Sequence, residues 1–327
     1  MLPDDLVQKI RAFQESRVLL TAIELDLFTA VGEGASAGDV AAALHTDPRA
    51  TAMLMNALVS LGMLEKRGEV FVNAPDAARY FVKGSPDDQR LASMHTVHLW
   101  TRWSTLTDCV RTGAAQEMPE AAGGGGEDWT EAFIAAMHSL ASARAGAVVR
   151  AVGAGSLRRM LDIGGGSGAY SIAFAQANPE LRSEILDIEA VVPLTRKYAA
   201  AAGVADRVAP RVGDLRAGNY GSGFDLVFIS AICHMLSPRE NREMFANSFA
   251  ALAPGGRIVV QDFILEPDRT GPRHAALFAL NMLVGTREGD SYTELEYATW
   301  LREAGFTGIE RVNLPGPASL VLARRPA

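Results

Sequence analysis

Residues 160–171 read MLDIGGGSGAYS. An apolar run ends in Asp162, glycines follow at 164, 165, 166 and 168, and a helix-forming stretch begins. Glycine suits such a junction because the chain must turn tightly and a ligand must come close to its backbone. Alone the loop is ambiguous. Gly164-x-Gly166-x-x-Ala169 also fits the dinucleotide fingerprint, and a strand–helix turn with no ligand is the plain alternative.

Around this loop the chain alternates strands and helices from Arg158 onward. Strands are expected at 159–163, 184–188, 208–212, 225–230, 257–262, 308–313 and 318–324. Helices are expected near 168–177, 190–202, 239–252, 270–284 and 293–304. The pattern is α/β, a parallel sheet covered on both faces. Asp187 ends the second strand, 19 residues after Gly168. A carboxylate there can accept from both hydroxyls of a ribose, which suits NAD and S-adenosylmethionine equally. VGDL (212–215) puts Gly213 and Asp214 after the third strand, where the acid can meet an exocyclic amine of adenine. Pro254-Gly255-Gly256 stands just before a strand, a turn that dinucleotide dehydrogenases have no reason to carry.

The first 85 residues have another character. Leu19, Leu20, Ile23, Leu25, Leu27 and Phe28 crowd one segment and suggest a buried helix. Helices over 36–45 and 48–62 follow, with Asp47 as N-cap, Pro48 at the first helical position and Gly62 as the stop. Strands Met63–Lys66 and Val70–Asn73, turning at Arg67-Gly68, complete a winged-helix pattern. Residues 1–85 carry 8 basic and 11 acidic side chains, 8 − 11 = −3. The helix over 48–62 has one basic residue, Arg49. Dimerisation or core packing fits that helix better than DNA. Between the two parts, a helix over 88–112 carries His95, His98, Trp100 and Trp103. A loop EMPEAAGGGGED (117–128), expected to be mobile, and a helix over 128–151 capped by Asp128 follow.

The chain has 327 residues, 48% of them hydrophobic, and a net charge of −7. That composition excludes a disordered chain, and its charge argues against bulk nucleic-acid binding. Two cysteines cannot make a disulfide framework. The acidic N-terminus and the lack of an uncharged apolar stretch of span length point to a cytoplasmic protein with no membrane partner.

Taken together, LDIGGGSG, LDIEAVV, VGDL, ICH, LAPGGRIVV and LREAGF, in this order, resemble the class I S-adenosylmethionine-dependent O-methyltransferases. More narrowly, they resemble the small-molecule group of caffeic acid, acetylserotonin and polyketide-tailoring enzymes. The resemblance implies a Rossmann-like seven-stranded methyltransferase sheet (156–327), an N-terminal all-helical winged-helix dimerisation domain (1–85) and a helical linker (86–155). It implies S-adenosylmethionine as cofactor, S-adenosylhomocysteine as product, no metal, a homodimer and a small, aromatic acceptor held between domains. Asp162 would organise the amino-acid end of the cofactor, with Gly164, Gly165, Gly166, Gly168, Asp187, Gly213, Asp214 and Ser230 completing the cofactor set.

The family's general base falls on His234 in AICHMLSPREN (231–241), where the acid and tryptophan that usually follow are Met235 and Leu236. An imidazole can take the proton of a phenol as the new bond forms. One flanking acid falls on Asp262, the other on Ser291, with Asp290 adjacent as a substitute. Phe133, Met137, Asn281 and Met282 match the family's acceptor pocket, and Trp100, Trp103 and Trp129 could line the same space. The six histidines show no metal-ligand spacing, and His95 and His98 read as pocket or packing residues. Two alternatives stay open: a protein of this fold whose bound cofactor serves cyclisation, hydroxylation or ligand binding, and a winged-helix regulator.

Overall fold

The computed structural model describes residues 2–117 and 127–327, and of residues 127–129 the backbone alone. Residues 118–126 of the expected mobile loop, with its glycines 123–126, and the Trp129 side chain fall outside the described residues; the helix is already formed at Glu127, so Asp128 lies within it and is not its N-cap. The chain forms two compact units, residues 1–100 and 101–327.

In the first unit the expected buried helix is two helices, Phe13–Glu24 and Leu27–Val31. Asp26 breaks them apart in the left-handed region (φ 56°). Its short carboxylate tolerates that conformation, accepting from Thr29 Oγ1 at 2.6 Å and Arg90 Nη1 at 2.9 Å. The break lets Leu20, Ile23, Leu27 and Phe28 be buried while Leu25 faces outward. Ser36 and Asp39 form a capping box on helix Ala37–Leu44. Asp47 caps helix Pro48–Ser60 through Ala50 N–H at 2.8 Å. That helix buries Thr51, Met55 and Leu58. The wing strands are Leu64–Arg67 and Val70–Asn73, so the turn is Gly68-Glu69, with Gly68 at φ 64°. A two-residue strand, Ala35–Ser36, adds a third member to this small sheet.

The expected helix over 88–112 is broken into Arg90–Trp103 and Leu106–Thr112. At the break, Ser104 and Thr105 turn their hydroxyls onto the carbonyls of Thr101 and Arg102, at 2.6 and 2.7 Å. Such local bonds compete with the helical ladder.

The second unit holds the seven-stranded sheet: β1 (Arg159–Ile163), β2 (Arg182–Asp187), β3 (Val208–Val212), β4 (Phe224–Ser230), β5 (Leu252–Asp262), β6 (Thr307–Asn313) and β7 (Ser319–Arg324). The order is β3-β2-β1-β4-β5-β7-β6. β1 to β5 pair in parallel, and β7 pairs antiparallel with both β5 and β6. The sheet is therefore mixed, not wholly parallel. The link between β6 and β7 is too short for a crossover, so the two form a hairpin. Pro254–Gly256 lies inside β5 as an irregularity, where the register with β4 shifts between Phe224 and Leu226.

Alternate residues of the central strands feed opposite faces. Leu161, Ile163, Val227, Ile229, Ile258 and Val260 pack with Phe245, Tyr297 and Trp300. Met160, Leu226, Phe228 and Val259 pack with Phe174, Val148 and Leu320. Helix Glu127–Val152 covers the second face through Ala145, Val148 and Val152. Its segment Thr130–Val152 is, among the described residues, long and apolar enough to cross a membrane by length and composition, with Arg144 and Arg150 inside it. The strand order reverses between β1 and β4. In open α/β sheets ligands bind outside the carboxyl ends of the strands at such a point.

Candidate functional site

β1, β2, β4 and β5 end in Asp162-Ile163, Asp187, Ser230 and Asp262, at the same edge of the sheet. Gly164, Gly166 and Gly168 adopt left-handed φ of 66°, 58° and 78°, a conformation that side-chain-bearing residues rarely adopt. Gly164 and Gly165 also lack room: a Cβ would meet Ile232 at the first and Asp162 Cγ, at 2.7 Å, at the second. Ile232, just before the turn Cys233–Met235, thus sits directly on the glycine loop.

The loop is held from below. Gly164 N–H donates to Leu186 O at 2.8 Å, Gly166 N–H to Asp187 Oδ2 at 2.8 Å, and Thr195 Oγ1 to Gly166 O at 2.6 Å. Asp187 Oδ1 accepts from Ile188 N–H at 2.8 Å. Burial raises the Asp187 carboxyl above its ordinary value, against the pull of those two amides. Asp162 is almost wholly buried. Its Oδ2 accepts from Ser171 Oγ at 2.7 Å, and Ser183 Oγ donates to Ser171 Oγ at 2.8 Å. Asp162 Oδ1 is buried with no partner, and burial pushes this carboxyl up to about 7. Gly213 N–H bonds Asp187 O at 2.9 Å, and Asp214, exposed, accepts from Arg216 N–H at 2.8 Å. Ser230 is turned to Gln261 Oε1 at 3.3 Å.

The second cluster is built on the short turn Cys233–Met235 and the end of β5. His234 Nδ1 lies 2.7 Å from Asp262 Oδ1, and His234 N–H donates to Asp262 Oδ2 at 3.2 Å. Phe263 N–H and Tyr297 Oη also donate to this carboxylate, at 2.8 and 3.0 Å. Burial opposes the charge on Asp262, yet His234 and these donors hold its pKa below the ordinary value. The imidazole is 6% exposed and packs edge-on against Phe278, centroids 4.8 Å apart. Met235 faces solvent and Leu236 is buried. Ser291 is fully buried, its hydroxyl without a partner. Asp290, the expected substitute acid, is turned away to Arg269 Nη2 at 2.5 Å.

Of the expected acceptor residues, Asn281 Oδ1 accepts from Trp103 Nε1 at 2.9 Å and Met282 is buried. Phe133 and Met137 lie half-buried on helix Glu127–Val152. Trp100 belongs to the first unit, its ring 5.7 Å from the Arg17 guanidinium. His95 is pushed to lower pKa by burial and then by His98. Among the described residues no three His, Cys, Asp or Glu side chains group as a metal site. Sequence reasoning missed Ser171, Ser183, Thr195, Ile232, Arg269 and Tyr297. Only TELEYATW (293–300), with Tyr297 on the apolar face of its helix, carried a usable signal.

A family model described as an O-methyltransferase domain matches residues 103–307, and one described as an O-methyltransferase dimerisation domain matches residues 7–84. The chain is 32% identical to a 3-hydroxy-5-methyl-1-naphthoate 3-O-methyltransferase of Streptomyces sahachiroi, over 93% of this chain and 90% of that one. It is 30% identical to the tetracenomycin polyketide synthesis 8-O-methyl transferase TcmO of Streptomyces glaucescens, over 99% and 97%. Among solved structures, human N-acetylserotonin methyltransferase in complex with SAM superposes with a TM-score of 0.86 at 26% identity, covering 98% of this chain and 97% of that one. With a family model spanning most of its length, the chain belongs to the S-adenosylmethionine-dependent small-molecule O-methyltransferases that carry an N-terminal dimerisation domain.

Proposed function

We propose that the protein methylates a hydroxyl of a small aromatic acceptor, with His234 as general base. The observation that carries this reading is the 2.7 Å contact of His234 Nδ1 with Asp262 Oδ1. A carboxylate on Nδ1 keeps the ring proton there and leaves the lone pair on Nε2, which has no hydrogen-bond partner among the described residues. Nε2 can then take the hydroxyl proton as the oxygen is alkylated, and Asp262 balances the imidazolium charge. A phenol near pKa 10 exceeds histidine near 6.5, so the proton moves with bond formation and not before it.

S-adenosylmethionine, when bound, supplies an electrophilic methyl group on a sulfonium. The residues at the strand ends fit it. Asp162 Oδ1, buried and partnerless, suits a cationic amino-acid end. The left-handed glycines let the backbone approach, and Asp187 is placed for a ribose. Gly213 and Asp214 are assigned to the adenine. Ser230 already bonds Gln261, which makes a backbone role more economical for it. Phe133, Met137, Asn281 and Met282 are assigned to the acceptor, residues 86–155 to a linker and 1–85 to dimerisation. A homodimer is supported by Leu6, Ile10 and Phe13, which share one face of the N-terminal helical segment and are 40, 58 and 55% exposed.

The test is a screen of phenols and hydroxynaphthoates with S-adenosylmethionine, with O-methylation read by mass spectrometry, on wild type and His234→Ala. Loss of turnover with intact cofactor binding is expected. A His234→Ala enzyme that turns over at the wild-type rate overturns the base assignment.

A further inference from the structure

The imidazole of His234 is held by one carboxylate, so whatever fixes that carboxylate fixes the ring. Asp262 is buried and receives four donors among the described residues: His234 Nδ1, His234 N–H, Phe263 N–H and the Tyr297 hydroxyl. Of these, Tyr297 is the one side chain from outside the pair and its immediate neighbours. Its ring is clamped by Tyr292 at 6.2 Å, Trp300 at 5.9 Å and Phe245 at 6.5 Å between centroids. Among the described residues no second acid shares the load: residue 291 is serine and Asp290 is turned to Arg269.

We propose that Tyr297 is a positioning residue for the His234–Asp262 pair, orienting Asp262 so that Oδ1 meets Nδ1 and keeping that carboxylate ionised. The inference rests on the reading of His234 as base for its consequence in turnover, though the geometry stands without it. The titratable groups facing Asp262 are His234 and Cys233 from the turn and Tyr297 from helix Glu294–Glu303, with Tyr292 behind Tyr297. Among the described residues no lysine or arginine contacts Asp262. Without the Tyr297 hydroxyl, Oδ2 keeps only the 3.2 Å bond from His234 N–H. The negative charge of the pair is then less well solvated, and the pair takes up a second proton at higher pH.

The experiment is imidazole ¹⁵N–¹H correlation spectroscopy of the intact protein as a function of pH, with His234 assigned through His234→Ala. Wild type should show the Nδ1–H tautomer. Tyr297→Phe should raise the midpoint for the second proton by about 0.5–1 pH unit, less than the full worth of a hydrogen bond to a charged group because Asp262 is ionised before and after that proton binds. If that variant does not fold, 3-fluorotyrosine incorporated at position 297 keeps the shape and makes the hydroxyl a stronger donor, and the midpoint should fall. An unchanged midpoint and tautomer in whichever protein folds overturns the proposal. A shifted midpoint together with full turnover in His234→Ala leaves Tyr297 in its role and overturns the base assignment instead.

Discussion

The carboxylate of Asp290 sits on the guanidinium of Arg269, 2.5 Å away, while its own backbone N–H donates to the carbonyl of His234 at 2.9 Å. The turn that should bring a second acid to the base therefore touches it only through the main chain. Ser291, where the family resemblance leads one to expect that acid, has a buried, unpaired hydroxyl. Ser291→Ala removes that unsatisfied group and should leave stability unchanged or raise it by about 1 kcal/mol. Restoring the family acid looks harmless from sequence alone. In the folded chain Ser291→Glu buries a charge in a closed site and should lower the melting temperature by several degrees. A melting curve for Ser291→Glu superimposing on wild type contradicts this.

His234→Ala should reduce methyl transfer by roughly 10²–10⁴. Asp262→Asn should cost less in rate, since it orients the ring and balances its charge without touching the acceptor. Both should bind S-adenosylmethionine with near wild-type affinity in calorimetry, because neither residue is assigned to it. A tenfold loss of cofactor affinity in His234→Ala would place the imidazole in the wrong half of the site.

Asp187 has two duties in the structure. It holds Gly166 through a 2.8 Å bond and remains at the strand end where a ribose is expected. Asp187→Ala should therefore weaken S-adenosylmethionine by at least tenfold, through lost charge-assisted bonds of about 1.5–3 kcal/mol each and a looser loop. Asp187→Asn, which can still accept from Gly166, should lose less. Equal dissociation constants for wild type and Asp187→Ala would reject the site.

The apolar stripe of Leu6 and Ile10 gives a simple test of assembly. Light scattering of wild type at micromolar concentration should give twice the chain mass. Leu6→Glu combined with Ile10→Glu should shift it toward the monomer without unfolding the chain, since neither side chain is buried. A monomeric wild type removes the dimer from the proposal.

The α/β unit was legible where local chemistry and tertiary demand agree. The glycines at 164–168, the strand-end acids at 162 and 187, and the apolar runs of β1 and β4 each have one compatible structure. The helix breaks at Asp26 and at Ser104-Thr105 were not legible, because helix periodicity continues through them and the competing side-chain bonds arise only on folding. The same holds for Tyr297 on Asp262 and Arg269 on Asp290. These pairs are 35 and 21 residues apart in sequence, and nothing in either segment names its partner. β7 was found as a strand, but its direction followed from the short hairpin link and not from its composition.

Asp162 should give the protein a recognisable pH signature. Its carboxyl is raised to about 7 by burial, first of all, with Asp187 nearby adding to it and Ser171 opposing. A group raised in the folded state stabilises fully below its unfolded value, near 3.9, and loses that contribution as pH rises through about 7. The ligand-free protein should therefore lose stability as pH rises from about 4 to 7, by about 4 kcal/mol in all and by roughly 2–3 kcal/mol between pH 5 and 8 from this group. Asp187, also raised by burial, has the same sign. Asp262, lowered, acts only at more acid pH, outside the window. Asp162→Asn should flatten most of the decline in melting temperature from pH 5 to 8. A cationic cofactor end favours the ionised carboxylate, so S-adenosylmethionine affinity should rise over the same range in wild type and stay level in Asp162→Asn. Parallel pH profiles for the two proteins, in both melting and binding, would mean that Asp162 is already ionised in the fold and that its unpartnered oxygen meets no cation.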